Sequence, residues 1–339
     1  MGVLQWLRSR GADEPAAPDD ACAQKVQRVL ELSPRLRLVR RHDTRLRFAL
    51  TEAQRYLDRL VATLPAPRLA SASTWGSDPC IHAYFGSADD VGLCLSRSSD
   101  LRSYFDQSPL SRDAYAVMGM EMSERRTLGV AMQGEVMRSD VAQTTLSFTD
   151  HQVRICADSE DALRREIVQR MLDQLVLEAL AKVAADEFRR DMLEKERVLL
   201  ATRLRLLERR GTGMRSMVGG PGTEDLAKRA RLQAEMEEND RALADLGSRT
   251  ESLGHQLDIV CERLVNASEY MKVSSRRVRL SRMNVVQPDE AAEAGEMIEL
   301  HSARVPGDPP LERTFALVQV NAAELLKTGQ LLERASRMI

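Results

Sequence analysis

The chain has 339 residues, 43% of them hydrophobic, and a formal net charge of −2. That length supports one large domain or two ordinary ones, and the near-neutral charge excludes a molecule-wide field steering the protein to nucleic acid or an anionic membrane. Charged residues make up 29% and aromatics only 4%, a balance that favours long solvated helices over a compact enzyme.

Residues 1–20 read as a flexible N-terminus. "MGVLQWLRSRG" is too short in its apolar part for a signal peptide, and its basic residues follow that part instead of preceding it. A short helix is expected over about 21–32. Ser33 and Pro34 then give an N-cap with proline at the first helical position. Leu36, Val39, Leu46, Leu50, Ala53, Leu57, Leu60 and Leu64 follow heptad steps, with Asp43 filling the gap. The prolines of "LPAPRLASAS" end that helix.

Residues 75–110 read as a packed piece of a globular head. "CIHAYF" is a candidate strand, and Ser87 with Asp90 forms an S-x-x-D capping box that opens a helix. "SSDLRSYFDQS" predicts another. From 114 to 157 the apolar period becomes 2, with "SERR" and "TDHQ" as hairpin-sized turns. The expectation is an antiparallel meander of three or four strands. One long helix is expected over 160–210. Its distal half carries two adjacent columns at seven-residue spacing, Met192/Leu199/Leu206 and Leu193/Leu200/Leu207.

The strongest pattern follows. Leu232, Met236, Asn239, Leu243, Leu246, Thr250, Leu253, Leu257, Val260, Leu264, Ala267 and Met271 alternate steps of four and three, the signature of a coiled coil with Asn239 and Thr250 as polar members of the seam. Three strand candidates, 276–286, 296–304 and 313–320, lead to a last helix starting near Asn321 and Glu324 and reaching about 337.

Between the two long helices lies "GTGMRSMVGGPGTED". It fits no P-loop, because no lysine follows its glycines before Lys228. It fails the dinucleotide pattern at Ser216, and both motifs require a strand in front. A glycine-rich connection between two helices of similar length is the tip of an antiparallel hairpin. The predicted architecture is therefore α+β: an antiparallel β-sheet head with N-terminal helices and a long antiparallel coiled-coil hairpin inserted between two sets of strands. The segments are 1–20, the N-terminal helices in 21–66, the first part of the head in 75–157, the hairpin in 158–273 with its tip at about 211–223, and the second part of the head in 274–339.

Five cysteines without a CxxC pair read as free thiols in a reducing compartment, which points to the cytoplasm. No run of 18 apolar residues exists to span a membrane. No histidine pairs with another histidine or cysteine at zinc-ligand spacing, and no G-x-S-x-G or HExxH motif is present, so no catalytic, cofactor or metal residue is assigned. The best catalytic alternative is Asp78, Cys80 and His82, which would share one face of a strand. Between 203 and 231, eight basic residues stand against three acidic ones. Arg209, Arg210, Arg215, Lys228, Arg229 and Arg231 form a candidate interaction tip. The leading expectation is a non-enzymatic, cytoplasmic interaction or scaffolding protein, with protein partners and homo-oligomerisation both open. Nucleic-acid or polyanion binding through the tip is the first alternative, and an enzyme with a site near His82 is the second.

Overall fold

The structure is a computed structural model that describes residues 18–133, 136–211, 223–246, 252–287, 295–306 and 310–326. The chain divides into two compact units. One comprises residues 1–52 and 173–265, the other residues 53–172 and 266–339.

The second unit is built on a seven-stranded sheet. Its strands are β1 (Arg68–Leu69), β2 (Asp113–Gln133), β3 (Val136–Ala157), β4 (Lys272–Leu280), β5 (Val286–Gln287), β6 (Glu296–Val305) and β7 (Leu311–Asn321). The order is β3-β2-β7-β6-β4-β5, antiparallel throughout except for the short β1, which runs parallel to β7. Strands from both sides of the helical insertion therefore lie in one sheet, joined where Ala114–Met120 pairs with Thr314–Val320. The sheet curls until its margins meet. Thr145 bridges Val285, and Leu146 N–H donates to the Asn284 carbonyl at 2.9 Å. Closing the margins in this way reduces exposed strand edge.

The concave face holds the core. Ala114, Ala116, Met118 and Met120 on β2, Ile298 and Leu300 on β6, and Ala316, Val318 and Val320 on β7 are all buried. Three short helices complete it: α3 (Pro79–Tyr84), α4 (Ala88–Arg97) and α5 (Ser99–Gln107). Ser87 caps α4, its hydroxyl accepting Asp90 N–H, but the Asp90 carboxylate accepts from that hydroxyl at 2.8 Å and not from the Ser87 N–H, so half of the capping box forms. Ser98 caps α5.

Two expectations fail here. "CIHAYF" is the helix α3, because Asp78 accepts the N–H groups of Cys80 and Ile81 and Pro79 supplies the preset φ of a first helical residue. The meander is instead two strands of 21 and 22 residues. "SERR" lies inside β2 and "TDHQ" inside β3, paired across the ladder as Ser123↔Ser147 and Gly119↔Gln152. Past Met120, β2 loses β7 as a neighbour and pairs with β3 alone, while β3 at Thr145 and Leu146 meets the β4–β5 turn on its other side. Glu124, Arg125 and Arg126 are exposed, and Asp150 takes φ 48 at an irregularity of the ladder, which is what made the two segments look like turns.

The other unit is helical: α1 (Pro18–Leu32), the start of α2 (His42–Ala62), most of α6 (Glu160–Gly211), α7 (Thr223–Asp245) and α8 (Ser252–Val265). The expected helix from Pro34 is broken. A 3₁₀ turn, Pro34–Leu38, precedes α2, and Arg41 takes φ 58 between them. The seam residues Leu36, Leu46 and Leu50 are buried all the same. Arg28 pairs with Asp173 and Arg45 with Asp258, tying α1 to α6 and α2 to α8. The short α9 (Ala267–Tyr270) precedes β4. Where the last helix is expected to begin, the chain makes a 3₁₀ turn, Ala322–Glu324, that ends at the extended Leu325, and the rest of the expected helix, from 327, lies outside the described residues.

The second arm of the hairpin is described as α7 and α8, and residues 247–251 between them lie outside the described residues. Pairs between the arms are Glu208 with Arg229, Arg197 with Asp240, Arg190 with the Leu246 carbonyl and Glu187 with Gln256. The first three advance and retreat in step, as antiparallel helices must. From the third to the fourth, α6 moves three residues while the other arm moves ten. Thr250 lies between α7 and α8, outside the described residues.

Candidate functional site

Two places merit examination, one in each unit. The first is the distal hairpin. Ser159 accepts Ala162 N–H, and Glu160 and Asp161 occupy the first turn, where the helix dipole favours anions, so α6 starts firmly. It then runs 52 residues without a proline or an internal glycine. Of its two apolar columns, one is used by α7. Leu200 is 4% exposed, and Leu193 and Leu207 are half-buried. The other column is open: Met192, Leu199 and Leu206 stand 50%, 49% and 56% exposed.

Asn239 sits in the seam at 4% exposure. Its amide donates to the Leu193 carbonyl at 3.1 Å and to Glu196 at 3.2 Å, while its own Oδ1 has no partner. A polar residue in such a seam favours one register at a cost in stability.

Between α6 and α7 lies a groove of about 430 Å³. Leu206, Leu207 and Leu232 form its apolar lining, and Arg203, Lys228, Arg231 and Glu235 its charged lining. The candidate tip residues divide around it. Lys228 and Arg231 line the groove. Arg229 is drawn to Glu208 at 3.4 Å and Arg231 to Glu235 at 3.0 Å. Arg209 is exposed on the last turns of α6, Arg210 follows it on the same helical backbone, and Arg215 lies outside the described residues with the glycine-rich connection. Arg203 joins the groove because it stands one turn before Leu206 and Leu207.

The second place is a cleft of about 480 Å³ in the sheet unit. Trp75, Ser77 and His82 line one side, and Ser281, Arg282 and Glu296 line the other. Trp75 is fixed by its indole N–H, which donates to the Phe85 carbonyl at 2.8 Å. Its ring lies 4.4 Å from that of His82. The two His82 nitrogens face the carbonyls of Trp75 at 3.2 Å and Arg282 at 3.0 Å.

This geometry disposes of the Asp78, Cys80 and His82 constellation. On a helix the three do not share a face as they would on a strand. The Asp78 carboxylate is consumed by the α3 cap and by Arg68 at 2.9 Å. Burial pushes the Cys80 thiol up, away from a nucleophilic thiolate, and pushes Cys94 and Cys156 up to about 12. Both His82 nitrogens are engaged by backbone. Among the described residues no group of three or more His, Cys, Asp or Glu side chains is arranged to hold a metal ion, and no described helix is long and apolar enough to cross a membrane. Searches of protein-family models, curated proteins and solved structures return no match to this chain.

Proposed function

We propose that the chain is a non-enzymatic interaction protein whose hairpin docks an acidic amphipathic helix of a partner protein. The observation that carries this reading is the α6/α7 groove: an apolar lining of Leu206, Leu207 and Leu232 beside the cations Arg203, Lys228 and Arg231 and the anion Glu235. A helix laid in a groove buries an apolar face at i, i+3, i+4 and i+7, and glutamates flanking that face would meet the three cations. The exposed Met192 and Leu199 extend the apolar surface along α6. A cytoplasmic location belongs to the reading, supported by the five free cysteines.

The same cations would also attract a phosphate backbone, but the leucines beside them favour a protein helix. The test is fluorescence anisotropy with a synthetic peptide carrying leucines at helical spacing and flanking glutamates, and with a double-stranded DNA of comparable charge. The peptide should bind, and Leu206→Asp should weaken it about tenfold or more, as the loss of one buried leucine implies. Binding of DNA alone, with log affinity falling linearly in log salt, would replace this reading with the polyanion one.

A further inference from the structure

The cleft in the sheet unit has a charge pattern that its structural role does not explain. Three segments distant in sequence build it: the loop and first turn of α3, the turn after β4, and the start of β6. The polar groups on the α3 side are committed. Asp78 caps α3 and holds Arg68, and His82 braces the two loops. In the turn, Ser281 Oγ accepts the N–H groups of Met283 and Val285. Asn284, at φ 55, donates its amide to the Ala83 carbonyl at 2.8 Å. These bonds hold the walls in place without a ligand, as a largely preformed site requires.

Arg282 and Glu296 differ from their neighbours. Both line the cleft and both are exposed. Among the described residues neither side chain forms an ion pair, with the other or with a third group. Between them the cleft offers Trp75, Pro79, Leu280 and Ile298 as apolar surface. One cation, one anion and an aromatic wall, in a volume of about 480 Å³, match a small molecule that itself carries both charges.

We infer that this cleft binds a small zwitterion of amino-acid or dipeptide size with an apolar or aromatic side chain. Its carboxylate is received by Arg282, its ammonium by Glu296, and its side chain lies against Trp75. A guanidinium fork matches a carboxylate in geometry as well as charge, and a carboxylate accepts from an ammonium at any of its lone pairs. This inference is independent of the hairpin, and its failure would leave the docking reading untouched.

The test uses the full chain carrying Trp6→Phe, which leaves Trp75 as the sole tryptophan and makes indole fluorescence report on the cleft. Four probes are titrated: L-phenylalanine, phenylalanyl-glycine, 3-phenylpropionate, which lacks the ammonium, and phenethylamine, which lacks the carboxylate. At least one zwitterion should change Trp75 fluorescence saturably. Each singly charged analogue should bind at least about tenfold more weakly, because one charge-assisted contact is gone. Arg282→Gln should abolish the preference for the zwitterion over phenethylamine, and Glu296→Gln the preference over 3-phenylpropionate. Circular dichroism should stay unchanged, because both residues are exposed. If neither zwitterion binds, or all four probes bind alike, the inference is overturned. It is equally overturned if both variants keep the wild-type preferences.

Discussion

His151 shows how one side chain couples stability to pH. Its Nε2 lies 2.8 Å from the Tyr84 carbonyl, and its ring stacks on Phe85 at a centroid distance of 4.9 Å. Burial holds its pKa below the ordinary histidine value, outweighing the upward pull of the Tyr84 bond and of Asp150. The unfolded chain therefore binds a proton at a higher pH than the folded one, and stability rises with pH across that interval. The contribution is complete above the unfolded pKa near 6.5 and is lost as pH falls toward the folded value. His301 is shifted the same way by burial and adds to the effect. Chemical unfolding at pH 7 and at pH 5 should show a drop in stability that His151→Gln reduces. An unchanged slope in the variant would remove His151 from this account.

Asn239 is a second residue with a measurable consequence. Its Oδ1 is buried without a partner, and a group in that condition costs free energy even when the rest of the side chain is bonded. Asn239→Leu should raise hairpin stability by about 1 kcal/mol in thermal or chemical unfolding. Leu257, fully buried on α8, lies at the opposite extreme, and Leu257→Ala should cost about 2–4 kcal/mol. If the two changes have equal and small effects, the seam assigned from the heptads is wrong.

Among the elements, the legible ones were those whose pattern matches a single physical cause. Seven-residue columns located α6 and α7, and alternation located β6 and β7. The helix α3 was missed because "CIHAYF" is short and apolar, and a run of that kind fits a strand or a buried helix equally well. The Asp78-Pro79 pair in front of it was the usable signal. The cleft was invisible for another reason: its walls come from three separate segments, so no motif spans it.

The β2–β3 ribbon carries its own prediction. Strand residues up to Met120 are held on both sides, by β3 and β7, whereas those from Glu121 onward pair with β3 alone. A strand paired on one side only opens more readily, and Leu128 on it is 72% exposed. Hydrogen exchange followed by mass spectrometry should therefore find faster exchange over 121–129 than over 114–120. Equal protection in the two stretches would mean that the ribbon is covered.

At the scale of the molecule, the architecture rests on one arrangement. A single sheet is assembled from strands on both sides of a long helical insertion, because β7 pairs with β2 across residues 113–120 and 314–321. The core under that sheet draws on Met118 and Met120 from before the insertion and on Ile298, Leu300 and Val320 from after it. None of these residues belongs to the distal hairpin. The contacts that hold the distal hairpin, Arg197 with Asp240 and Asn239 with Leu193 and Glu196, run between its own arms. Shortening a loop whose ends are already close changes its closure entropy only slowly with length.

The direct test replaces residues 190–246 by a short glycine-serine bridge and follows thermal unfolding together with the amide NMR spectrum. One cooperative transition and retention of the dispersed resonances of β2, β6 and β7 are expected. Loss of cooperative unfolding, or collapse of those resonances, would contradict that arrangement.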